Sequence, residues 1–336
     1  MCAPPTQRRR GLLYGAALGT LPDLDVLLPA ADVVSSMVTH RGFSHSLLVL
    51  TVLAPLLHAL LAKFDRTLDD AQHRWRLAFW LALITHPLLD WCTTYGTQLL
   101  WPLDRTPYAL GSIFIIDPVY TLPLLLATLV VGFSTQLERQ RRWLRGALWV
   151  SSGYLLWCLL AQSWVHSRTQ PLLASLNLPA DTPVHVSPAP LNSLLWRIVV
   201  IDPDGGWYEG WFSLLSESTP QALQQHAGLR APTTIDLPPL RRLAAFSHGW
   251  YALREEADTL WYADLRMGAQ PWLAFRFALA QRDTFGHWQA LDPVLQAAMG
   301  RPPLHVLGWV LRRIFDPTVA LPSLMGSGES QWLPRP

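Results

Sequence analysis

Six ionisable side chains stand in stretches of this sequence that are otherwise apolar. Asp23 and Asp25 lie in Leu-Pro-Asp-Leu-Asp, His40 and His45 in His-Arg-Gly-Phe-Ser-His, and His86 and Asp90 in Thr-His-Pro-Leu-Leu-Asp. Ionisable groups in apolar segments are costly and mark functional sites by default. His86 and Asp90 are four residues apart, which puts them on one face of a helix. Asp23 and Asp25 are close enough to reach one ion together, or two neighbouring ions separately. Imidazole with carboxylate suits zinc, with manganese or iron as alternatives. Three His and three carboxylates exceed one tetrahedral centre, so one or two divalent ions are expected. A pair of ions would activate water and clamp both oxygens of a displacement. Arg41, inside the same motif, is placed to stabilise negative charge developing on a substrate. Asp104 and Asp117 are expected to orient the ligands from behind. Each residue also has a plainer reading taken alone: a helix cap for Asp23, an intramembrane hydrogen-bonded pair for His86 and Asp90, a loop charge for Arg41. Their convergence on one side of the membrane favours the metal.

That convergence comes from the elements that must carry them. The chain has 336 residues, of which 50% are apolar and only 15% charged, against about 25% charged in ordinary soluble chains. The long apolar runs lie in residues 11–165. Five apolar stretches there, Gly11–Leu28, Ser46–Ala62, Leu77–Leu100, Ile113–Phe133 and Gly146–Val165, predict an α-helical integral membrane bundle of four to five helices. The Arg8-Arg9-Arg10 start imitates a signal peptide, but the acidic pair at the end of the run favours an uncleaved helix. Lys and Arg cluster before the first stretch, between the second and third, and between the fourth and fifth, while the alternate loops carry only Arg41 and Arg105. Basic loops face the cytoplasm, so the six ligand candidates face outward, and everything after Val165 is expected in the periplasm.

Residues 166–190 contain five prolines after Gln170 and read as a linker. Residues 191–336 read as a soluble α+β domain. Strands are expected at Trp196–Asp202, Trp207–Leu215, Trp250–Arg254, Thr259–Arg266 and Trp272–Ala280, with a helix around Leu237–Phe246. Pro203-Asp204-Gly205-Gly206 marks a hairpin turn. Cys2, Cys92 and Cys158 are too few and scattered for a disulfide framework or a thiolate zinc site. A net charge of +2 without a basic stripe gives no ground for a nucleic-acid partner. The expected partners are the lipid bilayer and a lipid or envelope substrate.

Gly19-Thr20-Leu21-Pro22-Asp23-Leu24-Asp25, His40-Arg41-Gly42-Phe43-Ser44-His45-Ser46 and Thr85-His86-Pro87-Leu88-Leu89-Asp90 together resemble the membrane-bound metal-dependent hydrolases of bacterial inner membranes. The blocks Tyr95–Pro102 and Ser112–Thr121 extend the resemblance over most of residues 11–125. Stretches around Pro190–Arg197 and Tyr208–Leu214 are similar to the longer members with a C-terminal domain. The resemblance implies a metal-activated water attacking an ester or phosphoester. Members of that family usually begin with one more apolar helix, and the basic triplet here resembles the loop after it. The rival readings are therefore a non-catalytic metal-binding carrier or envelope scaffold, and an inactive remnant lacking that helix.

Overall fold

The computed structural model describes residues 4, 7–220, 223–298 and 303–319; Cys2 lies outside them. The chain divides into two compact units. One comprises Met1–Pro29, Thr39–Gly111 and Ile115–Cys158, and the other Ala30–Val38, Ser112–Phe114 and Leu159–Pro336.

The first unit is helical. It contains α1 (Arg8–Thr20), α3 (Leu47–Ala62), α4 (Gln72–Trp91), α5 (Pro118–Phe133) and the first part of α6 (Leu137–Ser175). The short α2 (Val33–Thr39) falls mostly in the other unit. Ser46 caps α3 by accepting from the Val49 amide at 3.3 Å, and Asp117 caps α5 by accepting from Val119 and Tyr120. Such side-chain acceptors satisfy amides that the helix itself leaves without a partner. Leu18, Leu50, Ala54, Trp75, Phe79 and Leu83 form the core where α1, α3 and α4 meet. His58 is buried in this core against Phe79, with Nε2 near the Leu68 carbonyl.

The expected bundle of four to five membrane helices is not what forms. Among the described residues, α6 alone is long and apolar enough to cross a bilayer. A second span exists if Val33–His45 and α3, bent by 53° at their junction, are counted together. The physical reason is length. With 16 residues each, α3 and α5 reach about 24 Å at ~1.5 Å per residue, short of a hydrocarbon core of about 30 Å. In α4 the 20 residues include His73, Arg74, Arg76, His86 and Asp90, and α1 stops before Pro22. The apolar stretches were longer than their helices because they continue into turns, Pro22–Leu27 being a 3₁₀ turn.

The second unit is mostly sheet. Two four-stranded antiparallel sheets have the orders β1-β2-β3-β4 and β10-β9-β6-β5. Their strands are β1 (Val184–Pro188), β2 (Leu195–Ile201), β3 (Trp207–Ser213), β4 (Gln224–His226), β5 (Tyr251–Glu256), β6 (Thr259–Asp264), β9 (Arg276–Arg282) and β10 (Trp288–Gln296), while β7 (Gly268–Ala269) and β8 (Trp272–Leu273) pair with each other. Alternation along β2 gives it two buried faces. Trp196, Ile198 and Val200 pack with Ala161, Val165 and Leu173 of α6, while Val199 packs with Trp207, Trp261 and Ala278. The helix α7 (Pro238–Phe246) lies where the sequence puts one. Residues 166–190 are not simply a linker, since α6 runs on to Ser175 and β1 occupies Val184–Pro188. A final helix, α8 (Leu304–Phe315), buries Trp309, Val310 and Ile314 against Leu195 and Ala189.

Candidate metal centre

Three segments of the helical unit supply the site. Pro22 starts the 3₁₀ turn that presents Asp23 and Asp25. A second 3₁₀ turn, Phe43–His45, presents His45 just before α3. The last turn of α4 presents His86 and Asp90 from one helix face. Gly42 lets the second turn close, since a Cβ there would lie 2.7 Å from the Thr39 carbonyl oxygen.

Asp23, His45, His86 and Asp90 each direct one ligand atom into a group whose members lie within 4.8 Å of one another. His45 Nε2 is 3.3 Å from Asp23 Oδ1 and 3.2 Å from Asp90 Oδ2. His86 Nε2 is 3.4 Å from Asp23 Oδ1 and 3.3 Å from Asp90 Oδ2. Ligand bonds of about 2.0–2.1 Å around a tetrahedral ion put neighbouring ligand atoms about 3.3–3.4 Å apart, so the four separations match. His45 Nε2, His86 Nε2 and Asp90 Oδ2 are buried without a hydrogen-bond partner. Three such orphaned atoms facing one point are costly unless something binds them. The cluster can hold a metal ion.

The surrounding hydrogen bonds prepare His45 as a ligand. Ser44 Oγ donates to Asp25 Oδ2 at 2.6 Å and lies 2.9 Å from His45 Nδ1. With the Ser44 hydrogen spent on Asp25, Nδ1–H of His45 must be the donor to Ser44. The unprotonated Nε2 then faces the cluster. A carboxylate behind a ligating imidazole commonly fixes its tautomer in this way. Asp25 is further engaged by His40 Nδ1 at 2.8 Å and the Arg41 amide at 3.0 Å. Both Asp25 oxygens are therefore occupied outside the cluster, and His40 is tied to Asp25 rather than to the ligand group.

Arg41 is buried at φ 61°. Its guanidinium pairs with Asp90 Oδ1 at 3.1 Å and donates to Thr93 Oγ1 at 3.1 Å, over the Tyr95 ring. Asp104 and Asp117 do not join the cluster. Asp104 accepts from Thr106 and Tyr108, bracing the loop in which Thr97 and Tyr108 bridge. Asp117 caps α5 and accepts from Tyr154 at 2.8 Å. Ser44, Thr93 and Tyr95 were missed at the sequence level. Ser44 and Tyr95 carried a signal, through the His40–Ser46 motif and the Tyr95–Pro102 block.

Comparison with known proteins adds a membrane context to this geometry. Residues 1–165 match the family described as YdjM inner membrane protein. The match supports a bacterial inner-membrane family and covers every residue of the cluster. The chain is also similar to the uncharacterized protein YfhP of Bacillus subtilis strain 168, 32% identical over 97 residues. That segment spans 29% of this chain and 29% of the length of YfhP. No solved structure matches.

Proposed function

We propose that the chain is a membrane-bound metal-dependent hydrolase acting on an ester or phosphoester of a lipid or envelope molecule. The observation that carries this reading is the convergence of Asp23, His45, His86 and Asp90 on one point, with three buried atoms otherwise left without partners. Two nitrogen and two oxygen donors suit zinc, with manganese or iron as alternatives. The chemistry that a divalent ion supplies when bound is Lewis acidity toward an ester or phosphoryl oxygen. Asp25 and Ser44 hold His45 in its ligating tautomer, and Arg41 fixes the Asp90 carboxylate against the cluster. The Asp23 side chain, 47% exposed, opens the site to a substrate, whereas His45 is fully buried.

The four-ligand count supports a second reading. Structural zinc sites usually close with four protein ligands, while catalytic ones keep a position open. A non-catalytic metal-binding scaffold or carrier is the rival on that ground. The orientation belongs to the same proposal. Lys63, Arg66, Arg74 and Arg76 follow α3, and Arg139, Arg141, Arg142 and Arg145 start α6. Placing the basic start of α6, the helix long and apolar enough to cross a bilayer, in the cytoplasm puts the residues after α6 on the periplasmic side.

The test is metal content and hydrolysis of a panel of acyl-ester and phosphoester lipid analogues by the purified full chain and His86→Ala. The expected result is stoichiometric metal and turnover in the first, and loss of both in the second. Stoichiometric metal without turnover of any ester would favour the scaffold or carrier. A chain that binds no divalent ion would sink both.

A further inference from the structure

The turns that carry the cluster are coated with exposed apolar side chains. Leu24, Val26 and Leu27, interleaved with Asp23 and Asp25, are 46%, 64% and 76% exposed. Phe43, beside Ser44 and His45, is exposed, as are Leu103 and Ile116 on the neighbouring loops. Arg105 is the one exposed basic residue in residues 96–117. Apolar exposure on this scale marks an interaction surface.

The exposed apolar surface continues down α3. Leu48, Val52, Leu56 and Leu60 recur at every fourth residue and are all exposed, so they form one stripe on one helix face. The opposite face carries Leu50, Ala54 and His58 into the core. A helix that is apolar on all sides lies within a protein core or in lipid, and no described residue covers this stripe. From Leu48 to Leu60 it runs about 18 Å at ~1.5 Å per residue. Beyond it the surface changes character, with Lys63, Arg66, Asp69 and Asp70 exposed beside Phe64. The stripe therefore starts at the metal-site end, within three residues of His45, and stops where charge begins.

We infer that the bilayer covers this surface, that the ligand-bearing turns sit at headgroup depth, and that the site takes an amphiphile entering sideways from the membrane. The inference rests on the hydrolase reading for its substrate but not for its lipid contact. The match of residues 1–165 to an inner-membrane family and the abrupt change from apolar to charged surface identify lipid as the occupant. Asp23 is the most exposed of the four cluster residues, and the next residue is the exposed Leu24. The bond presented at Asp23 then belongs to the junction between a headgroup and its acyl chain, with the chain remaining against Leu24 and Leu27.

Nitroxide labels on Leu27→Cys, Val52→Cys and Phe285→Cys test this, with the full chain in phosphatidylethanolamine–phosphatidylglycerol vesicles. Signal from native cysteines is subtracted using wild type treated identically. Phe285, 84% exposed in the sheet-rich unit, is the aqueous control. Labels at 27 and 52 are expected to relax faster with oxygen than with a water-soluble nickel chelate, and the label at 285 the reverse. Asp23→Asn should leave that pattern unchanged while altering metal content, which separates lipid contact from the metal chemistry. A label at 27 that follows the nickel chelate would place the site end in water and overturn the inference, even if position 52 reports lipid. A label at 27 shielded from both reagents would show a protein cover and overturn it equally.

Discussion

Replacing Asp25 with Asn separates a one-ion centre from a two-ion centre. Asp25 accepts from His40 Nδ1 at 2.8 Å, the Arg41 amide at 3.0 Å and Ser44 Oγ at 2.6 Å. Asn keeps the shape but loses the charge and replaces one acceptor oxygen with a donor. Because the Arg41 amide and Ser44 Oγ share Oδ2, the Asn amide group either faces His40 Nδ1, which must then turn acceptor, or displaces the Arg41 and Ser44 donors. In the second case His45 loses the relay that holds its tautomer. In a one-ion centre Asp25 acts only through its neighbours, and losing such a partner typically costs about 10–100-fold in metal affinity, or about 1.4–2.7 kcal/mol. Asp25→Asn should therefore still bind one ion per chain at saturation, with affinity reduced by that factor. His86→Ala, which removes a member of the cluster itself, should lose stoichiometric binding. The assay is competition against a chromophoric chelator on the detergent-solubilised full chain, with metal per chain counted by elemental mass spectrometry. Two ions in the wild type falling to one in Asp25→Asn would refute the argument and restore Asp25 and His40 as ligands. So would an Asp25→Asn chain as empty as His86→Ala.

Two further outcomes are expected. Alkaline phosphatase fused after Ser175 should be active and a fusion within residues 134–145 inactive; the reverse pattern would overturn the proposed orientation. In the sheet-rich unit, burial and then the nearby Arg197 and Arg266 guanidinium groups push His185 down to about 3 from 6.5. Between those values the unfolded chain binds a proton that the native chain does not. Stability is thus complete above pH 6.5 and falls as pH drops toward 3, by up to about 1.4 kcal/mol per pH unit. Urea unfolding of wild type and His185→Phe at pH 7 and pH 4 checks this, and equal losses in the two proteins would refute it.

The site was more legible than the fold around it. His86 and Asp90 were readable because a four-residue spacing has one meaning on a helix, and α4 is helical through both. Asp23 and His45 followed from their company. Asp25 and His40 were misplaced because sequence spacing does not reveal hydrogen-bond saturation: Ser44, Arg41 and His40 together occupy both Asp25 oxygens. Asp117 failed as an orienting group because its place before Pro118 makes it a helix cap, a role visible in Asp-Pro at a helix start. The spans failed for a related reason. Hydropathy counts apolar residues without asking whether they are helical, and Val26, Leu27 and Leu28 are apolar yet lie on or after a 3₁₀ turn. In the second unit, alternation revealed β2, β3, β5 and β6. It could not reveal β1, whose Val-His-Val-Ser-Pro lies in a proline-rich stretch and is held by its register with β2.

Charge explains why these side chains occur together at an apolar end of the molecule. Asp23, Asp25 and Asp90 contribute three negative charges and Arg41 one positive charge, all within the network of pairs around His45. Ligation requires the Nε2 atoms of His45 and His86 to be unprotonated, and the charge is counted on the three carboxylates and Arg41 alone. The group then carries two uncompensated negative charges. Such a deficit is costly away from bulk water, and the exposed neighbours here are Leu24, Val26, Leu27 and Phe43. One divalent cation cancels it. A monovalent ion would leave a net charge at the apolar rim, and a trivalent ion would create one of the opposite sign. Arg41 is thus part of the selection, since without it the same three carboxylates would call for one more positive charge. The charge count and the ligand spacing use different properties of the same residues, and both fit a metal ion held by Asp23, His45, His86 and Asp90.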